Sequence, residues 1–307
     1  MQAITFSEYG GSDVLKPGEI GLPVAGPGEV LVRIQAAGVN PVDIQVREGA
    51  MHERIPARFP AVPGWDLAGV VEAVGDGVTD FLPGDEVWGY ARREVVEQGT
   101  YARFAAVPVS RLGKRPHGMD VRAAGALPLV GLTALQSLRA VGVGPGDTVL
   151  ISAAAGGVGH VAAQLARALG ASRVIGTAGE HNHDFLRRLG VEAVPYGDTL
   201  EQVVRALAPH GVDAALDLHG GPALDASFAL VTDPARVVSI VDQGVTDRGG
   251  RWVFCQPSRD DLDELAEHVR GGRLAVSLAA VVDLVDAADA QELVAGGHVR
   301  GKVVLQL

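Results

Sequence analysis

Val149-Leu150-Ile151-Ser152-Ala153-Ala154-Ala155-Gly156-Gly157-Val158-Gly159-His160 is the segment whose reading decides the fold. Three apolar residues run into a cluster of small residues and glycines, and a helix-compatible run to Leu169 follows. Strand, glycine turn and helix read in that order. Such a turn leaves the first helical amides free to hold a diphosphate, and glycine lets backbone and phosphate approach closely. Against G-x-G-x-x-G, Gly156 and Gly159 stand at the second and third glycines and Ala154 at the first, with Gly157 and Val158 lying between. A glycine pattern alone is weak evidence, with a merely structural turn as the alternative, so its surroundings decide. Thr148–Ala166 is also uncharged and about long enough to cross a bilayer, but its glycines, His160 and Gln164 divide it.

Downstream, short apolar runs alternate with helical patterns. Strands are expected at Thr148–Ala153, Arg173–Ala178, Ala193–Tyr196, Val212–Leu218, Arg236–Val241 and Arg251–Cys255. Helices are expected at Gly157–Leu169, His183–Leu189, Leu200–Leu207, Pro222–Ala229 and Asp260–Val269. Near-continuous apolar strands between helices predict an α/β, doubly wound parallel sheet with helices on both faces.

A site for NAD usually has an acid at the end of the second strand, where a carboxylate binds the ribose hydroxyls and repels a 2′-phosphate. Here that strand runs through Thr177 to Ala178, and no acid stands at its end. NADPH is the expected cofactor, with His183, Arg187, Arg188 and Tyr196 as groups within reach of the phosphate, though a solvated helix face is the plain reading of both arginines. Glu180 is an unwelcome neighbour for a phosphate and keeps NAD open.

Upstream of residue 120 the texture is different. Short β-type runs at Val30–Gln35, Ala68–Val74, Asp85–Gly89 and Tyr101–Val107 are separated by glycine turns, and no run is long enough for a large helix. The last forty or so residues return to β texture at Leu274–Ala280 and Lys302–Leu307, flanking a helical Val285–Val294. The expected division is therefore 1–120 plus 270–307 as one domain and 121–269 as the dinucleotide-binding domain. With 26 basic against 37 acidic side chains the net charge is −11, and no basic run is present, so nucleic acid is a poor partner. One cysteine, Cys255, cannot close an intramolecular disulfide or build a multi-Cys zinc site. The N-terminus has no basic head with an apolar run behind it, and a cytoplasmic location without membrane attachment is expected.

Several further segments together resemble the zinc-independent quinone oxidoreductase (zeta-crystallin-like) branch of the medium-chain dehydrogenase/reductase superfamily. They are Gly38-Val39-Asn40-Pro41-Val42-Asp43, Val62-Pro63-Gly64-Trp65-Asp66-Leu67-Ala68-Gly69-Val70-Val71, Phe81-Leu82-Pro83-Gly84-Asp85-Glu86-Val87, Leu127-Pro128-Leu129-Val130-Gly131-Leu132-Thr133-Ala134, the glycine segment itself, and the closing Gly297-His298-Val299-Arg300-Gly301-Lys302-Val303-Val304-Leu305. The resemblance spans nearly the whole chain. It implies a Rossmann domain inserted in a GroES-like β-rich catalytic domain, an active site in the cleft between them, and a homodimer, for which the apolar run Arg251–Cys255 offers a sheet edge.

Zinc-dependent relatives carry a cysteine ligand where this chain has Asn40 and a histidine ligand where it has Trp65, and neither replacement suits a zinc site. Without that Lewis acid, alcohol oxidation is disfavoured, whereas a quinone or enone accepts hydride directly as charge delocalises onto its oxygen. The resemblance points Asn40 at the nicotinamide and sets Thr133 at the start of a helix contacting it. Turn formation and helix back-bonding are their plain alternatives. An Asp43–Arg47 ion pair is expected, either bordering the pocket or purely structural, while Tyr90 and Tyr101 are expected to pack in the β-rich domain. His160 is assigned to cofactor binding or packing, and His117 and His298 to turns or surface. No serine or cysteine sits in a nucleophile elbow, which argues against a hydrolase. Besides a quinone or enone reductase, a reductase or oxidase dedicated to one biosynthetic intermediate and a noncatalytic NADPH-binding protein share this cofactor fold.

Overall fold

A computed structural model describes all 307 residues. They pack into two units, Met1–Leu129 with Pro257–Arg270 and Val276–Leu307, and Val130–Gln256 with Gly271–Ala275.

The first unit opens with β1 (Gln2–Thr5), β2 (Lys16–Glu19), β3 (Glu29–Val39), α1 (Pro41–Arg47), β4 (Ala57–Val62), β5 (Asp66–Val74), β6 (Glu86–Tyr90), β7 (Val96–Gln98), β8 (Phe104–Pro108), β9 (Leu112–Lys114) and α2 (Val121–Ala126). Helix α3 (Pro128–Ala140) leads into the second unit, which continues with β10 (Thr148–Ile151), α4 (Gly157–Ala168), β11 (Arg173–Thr177), α5 (His183–Arg188), β12 (Glu192–Val194), α6 (Leu200–Leu207), β13 (Ala214–Asp217), α7 (Pro222–Leu230), β14 (Val237–Ser239) and β15 (Arg251–Trp252). The chain returns to the first unit through α8 (Arg259–Arg270), β16 (Leu278–Asp283), α9 (Ala287–Ala295) and β17 (Lys302–Gln306).

In the first unit the long strand β3 organises the main sheet. Its early residues pair antiparallel with β8, its last four with β17, and its other edge with β5, giving the order β16-β17-β3-β5-β6-β9. The core of this unit buries Val30, Val32, Ile34, Leu67, Val87, Trp88 and Leu112. Tyr90 and Tyr101 lie in this core at 2% and 0% exposure, so they pack there as expected.

In the second unit six strands run parallel in the order β12-β11-β10-β13-β14-β15. Strand order reverses between β10 and β13, which is where a doubly wound sheet opens a crevice beyond its strand ends. Val149, Leu150 and Ile151 are at most 1% exposed, which explains their continuous apolar run: helices cover both faces.

Most expected elements are present; the strands of the second unit are shorter than expected, while β3, β5, α7 and α8 run longer. Arg251–Cys255 reduces to the two-residue β15, and the strand expected at Leu274–Ala280 lies instead at Leu278–Asp283. Helix α8, expected with the dinucleotide-binding domain, groups with the first unit, where Leu262 approaches Gly113 of β9 and Arg259 pairs with Asp80 at 2.6 Å. Helix α3 shows no polar stripe because Leu132, Leu135, Leu138, Thr133 and Ser137 are all buried, so amphipathic periodicity cannot reveal it. No helix is long and apolar enough to cross a membrane.

Candidate functional site

The glycine turn has the geometry that anion binding requires. Between β10 and α4 the chain passes through Ala153 at φ +47°, the one non-glycine residue with a positive φ. That strained position is held from β11: Ala153 N donates to Thr177 Oγ1 at 3.1 Å and Ala154 N to Thr177 O at 2.9 Å. Gly156 caps α4 without a side chain, and the first-turn amides of any helix lack intrahelical acceptors, so those of Gly157, Val158 and Gly159 are available to a diphosphate. Gly159 has no substitute, because a Cβ there would lie 2.4 Å from Ala153 O. His160 is fully buried and its Nδ1 meets Gly156 O at 2.7 Å, which makes it a packing residue of the first helical turn.

The crevice is pinned by one carboxylate. Asp217, at the end of β13 and fully buried, accepts hydrogen bonds from Ser152 Oγ after β10 at 3.2 Å and from Ser239 Oγ on β14 at 2.8 Å. It also accepts from Gly220 N at 2.9 Å, while Ser152 Oγ takes the Leu218 amide at 2.7 Å. Three loops at the strand ends are thereby fixed by a residue that sequence reading did not single out. Its signal was the pattern of a buried strand ending in an acid, Ala214-Ala215-Leu216-Asp217.

At the end of β11, Ala178 is 5% exposed and its amide bonds Val194 O. His183 Nε2 meets Ala178 O at 3.1 Å, fastening α5 to this strand end. Tyr196 is 69% exposed, Arg188 and Glu180 are exposed, and Arg187 pairs with Asp184 at 2.6 Å in solvent.

In the first unit Asn40 is 0% exposed, at the junction of β3 and α1. Its Nδ2 donates to Asp66 Oδ2 at 2.9 Å and its Oδ1 accepts from the Lys302 ammonium. Asp43 Oδ2 caps α1 by accepting from Asn40 N at 2.9 Å and also accepts from Tyr101 OH at 3.1 Å, while Asp43 Oδ1 has no partner. Burial pushes Asp43 up to about 7, with the nearby Asp66 charge adding to the shift and the Asn40 amide opposing it. Burial likewise raises Asp66 to about 6 against the attraction of Lys302, and lowers Lys302 itself. Burial also drives the Tyr101 phenol well above its ordinary range.

The expected Asp43–Arg47 ion pair is absent. Arg47 bonds Glu48 at 2.6 Å, Gln291 Oε1 at 3.0 Å and Gly10 O at 3.1 Å, because four residues along α1 the long side chain reaches α9 and the N-terminal loop instead. Thr133 is the sixth residue of α3 and not at its start, since the helix begins at Pro128. Its Oγ1 is buried without a hydrogen-bond partner, as is that of Ser137 one turn on. A buried, unpaired hydroxyl is the kind of group that a bound ligand satisfies.

Residues 26–117 match the family described as alcohol dehydrogenase GroES-like domain, and residues 189–305 the one described as zinc-binding dehydrogenase. A chloroplastic quinone-oxidoreductase homolog of Spinacia oleracea is 30% identical across all of this chain and 98% of its own length. The chain belongs to the quinone oxidoreductase family of the medium-chain dehydrogenase/reductases. It is similar as well to the chloroplastic NADPH-dependent alkenal/one oxidoreductase of Arabidopsis thaliana, 32% identical over 99% of this chain and 79% of that protein. The solved quinone oxidoreductase of Coxiella burnetii superposes with a TM-score of 0.89 at 30% identity, covering 100% of this chain and 99% of that one. As a medium-chain oxidoreductase, then, the protein combines the family's GroES-like and Rossmann parts.

Membership in a family that includes zinc-binding dehydrogenases raises the question of metal. No group of three or more His, Cys, Asp or Glu side chains is arranged to hold one. Trp65 stacks edge-on against Tyr90 at 6.0 Å, and Asn40 spends its amide on Asp66 and Lys302, so in this oxidoreductase both positions have apolar or amide chemistry already committed within the protein.

Proposed function

We propose that this oxidoreductase uses NADPH, without zinc, to transfer hydride to a quinone or an α,β-unsaturated carbonyl compound, acting as a cytoplasmic homodimer. The observation that carries the reading is the strand end beside the glycine turn, where β11 is followed directly by the buried methyl of Ala178 and no carboxylate stands to repel a 2′-phosphate. The names of the Spinacia and Arabidopsis relatives support the substrate class.

NADPH supplies a hydride. Gly156, Gly157, Val158 and Gly159 would hold the diphosphate through the free amides at the start of α4, with Ala154, Thr177, Ala178, His183 and Tyr196 as the further residues that would bind the cofactor. The unpaired hydroxyl of Thr133 orients the reacting end through a hydrogen bond in a dry environment, where such a bond has most effect. Asn40 is assigned a positioning role within the first unit, where its side chain is fully buried. Hydride adds to the β-carbon of an enone, the electron pair moves to the carbonyl oxygen, and water protonates the resulting enolate, so neither Asn40 nor Thr133 acts as acid or base.

The test uses NADPH carrying deuterium at the transferred position. Deuterium on the β-carbon of the reduced enone is expected. Its absence there, or full activity lost to a chelator with stoichiometric zinc in the purified protein, overturns the proposal. The dimer, for which Trp252 and Phe254 stacked at 5.9 Å offer an apolar edge beside β15, is checked by sedimentation at micromolar concentration; a monomer contradicts it.

A further inference from the structure

We infer that Asp66 and Lys302 are positioning residues for the reduction, clamping the Asn40 amide from both ends while Asp66 also holds the first turn of the helix that bears Thr133. This rests on the site proposed above.

The geometry is specific. Lys302, 3% exposed on β17, sends its ammonium to Val39 O at 2.7 Å and to Asn40 Oδ1. Asp66, 0% exposed at the start of β5, takes Asn40 Nδ2 on one oxygen at 2.9 Å and Leu129 N on the other at 2.7 Å. Leu129 lies in the first turn of α3, and Thr133 stands one turn further along the same helix. The amide can adopt only one orientation, because a flip would turn its oxygen to a carboxylate and its NH2 to an ammonium. Gly38 makes the room: a Cβ there would come within 2.7 Å of Asp66 Oδ2.

A purely structural purpose does not account for this arrangement. Backbone pairs Val303↔Val39 and Val304↔Gly38 already join β17 to β3. Ammonium and carboxylate stand 4.0 Å apart across a neutral amide, so two buried charges are retained where apolar side chains would serve stability as well or better. Fixing one amide and one helix end relative to each other is what the two charges add.

The experiment compares Lys302→Met, Asp66→Asn and the double variant with Asn40→Ala in the full chain, far below each melting temperature. Each of the first three is expected to lower kcat by about 10- to 100-fold while NADPH binding stays within about twofold. The primary isotope effect with deuterated NADPH should rise as hydride transfer becomes slower than other steps. Asp66 faces Lys302 from β17, Asp43 from α1 and, beyond it, Tyr101, so kcat should also fall below about pH 6, a limb that Asp66→Asn removes. The double variant removes both charges of the Asp66–Lys302 pair together and keeps the test open where a single variant does not fold. If these variants keep kcat and isotope effect within about twofold of the wild type while Asn40→Ala loses turnover, the positioning role is overturned and the site stands. If Asn40→Ala keeps full turnover, the site reading itself has failed.

Discussion

The methyl group of Ala154 occupies the space that Gly176 leaves open: a Cβ on Gly176 would lie 2.6 Å from Ala154 Cβ. An alanine at the first position of the glycine fingerprint is therefore compensated on the neighbouring strand β11. The two residues form a complementary pair, and the turn keeps its path although one of its glycines is missing.

Replacing Gly176 by alanine should destabilise the protein by about 1–3 kcal/mol through overpacking. The added methyl would meet Ala154 and also Val191 Cγ1 at 2.7 Å. Adding Ala154→Gly should recover part of the loss. Urea denaturation of the single and double variants measures both, and additive losses would show that the pair is not coupled.

Cofactor choice should turn on Ala178. The unmodified protein is expected to bind NADPH more tightly than NADH, and Ala178→Asp to flatten or reverse that order by roughly 1–2 kcal/mol of phosphate repulsion. Titration of both cofactors by fluorescence decides. Tighter NADH binding by the unmodified chain would mean that Glu180 has taken over ribose recognition.

Asp43 and Asp66 give stability a defined pH dependence. Their ordinary value is 3.8, and burial raises them to about 7 and about 6. The folded state thus favours their neutral forms, a stabilisation fully present below 3.8 and lost as pH rises through about 7. Between pH 4 and 7, Asp43→Asn should show a flatter stability curve than the wild type, since the amide oxygen still accepts from Asn40 N and Tyr101 OH without carrying a charge. Urea midpoints at intervals across that range measure the slope, and identical slopes would refute the assignment.

Thr133→Val keeps the volume of a buried β-branched residue while removing its unpaired hydroxyl. Without cofactor the variant should be at least as stable as the wild type, because an unsatisfied polar group has been withdrawn from the core. Turnover should drop by about tenfold or more as the orienting hydrogen bond disappears. Calorimetry and steady-state kinetics on one preparation separate the two effects; a stability loss of several kcal/mol would show that the hydroxyl is structural.

The fold was legible because its signals are local. In Val149–His160 a buried parallel strand must be apolar throughout, and a helix start that is to admit a phosphate closely favours glycine, so the architecture, and the proposal of a dinucleotide cofactor, are written in adjacent letters. The same locality explains the misses. Helix α3 is buried on most of its faces and shows no polar stripe, and the pairing of Arg47 was misread because two of its three partners, Gly10 and Gln291, are far away in sequence.

Family membership, the glycine turn, and the amide and indole at Asn40 and Trp65 are properties of residue order, and the sequence by itself determined them. Tertiary structure decided what those residues touch. Only the antiparallel pairing of β17 with β3 brings Lys302 to Asn40 across 262 positions of chain, and only the parallel register of β10, β13 and β14 gathers Ser152, Asp217 and Ser239 into one carboxylate clamp. Hydrogen bonds and buried charges act over a few ångströms of space, not along the chain, so their partners appear only once the strands are laid side by side.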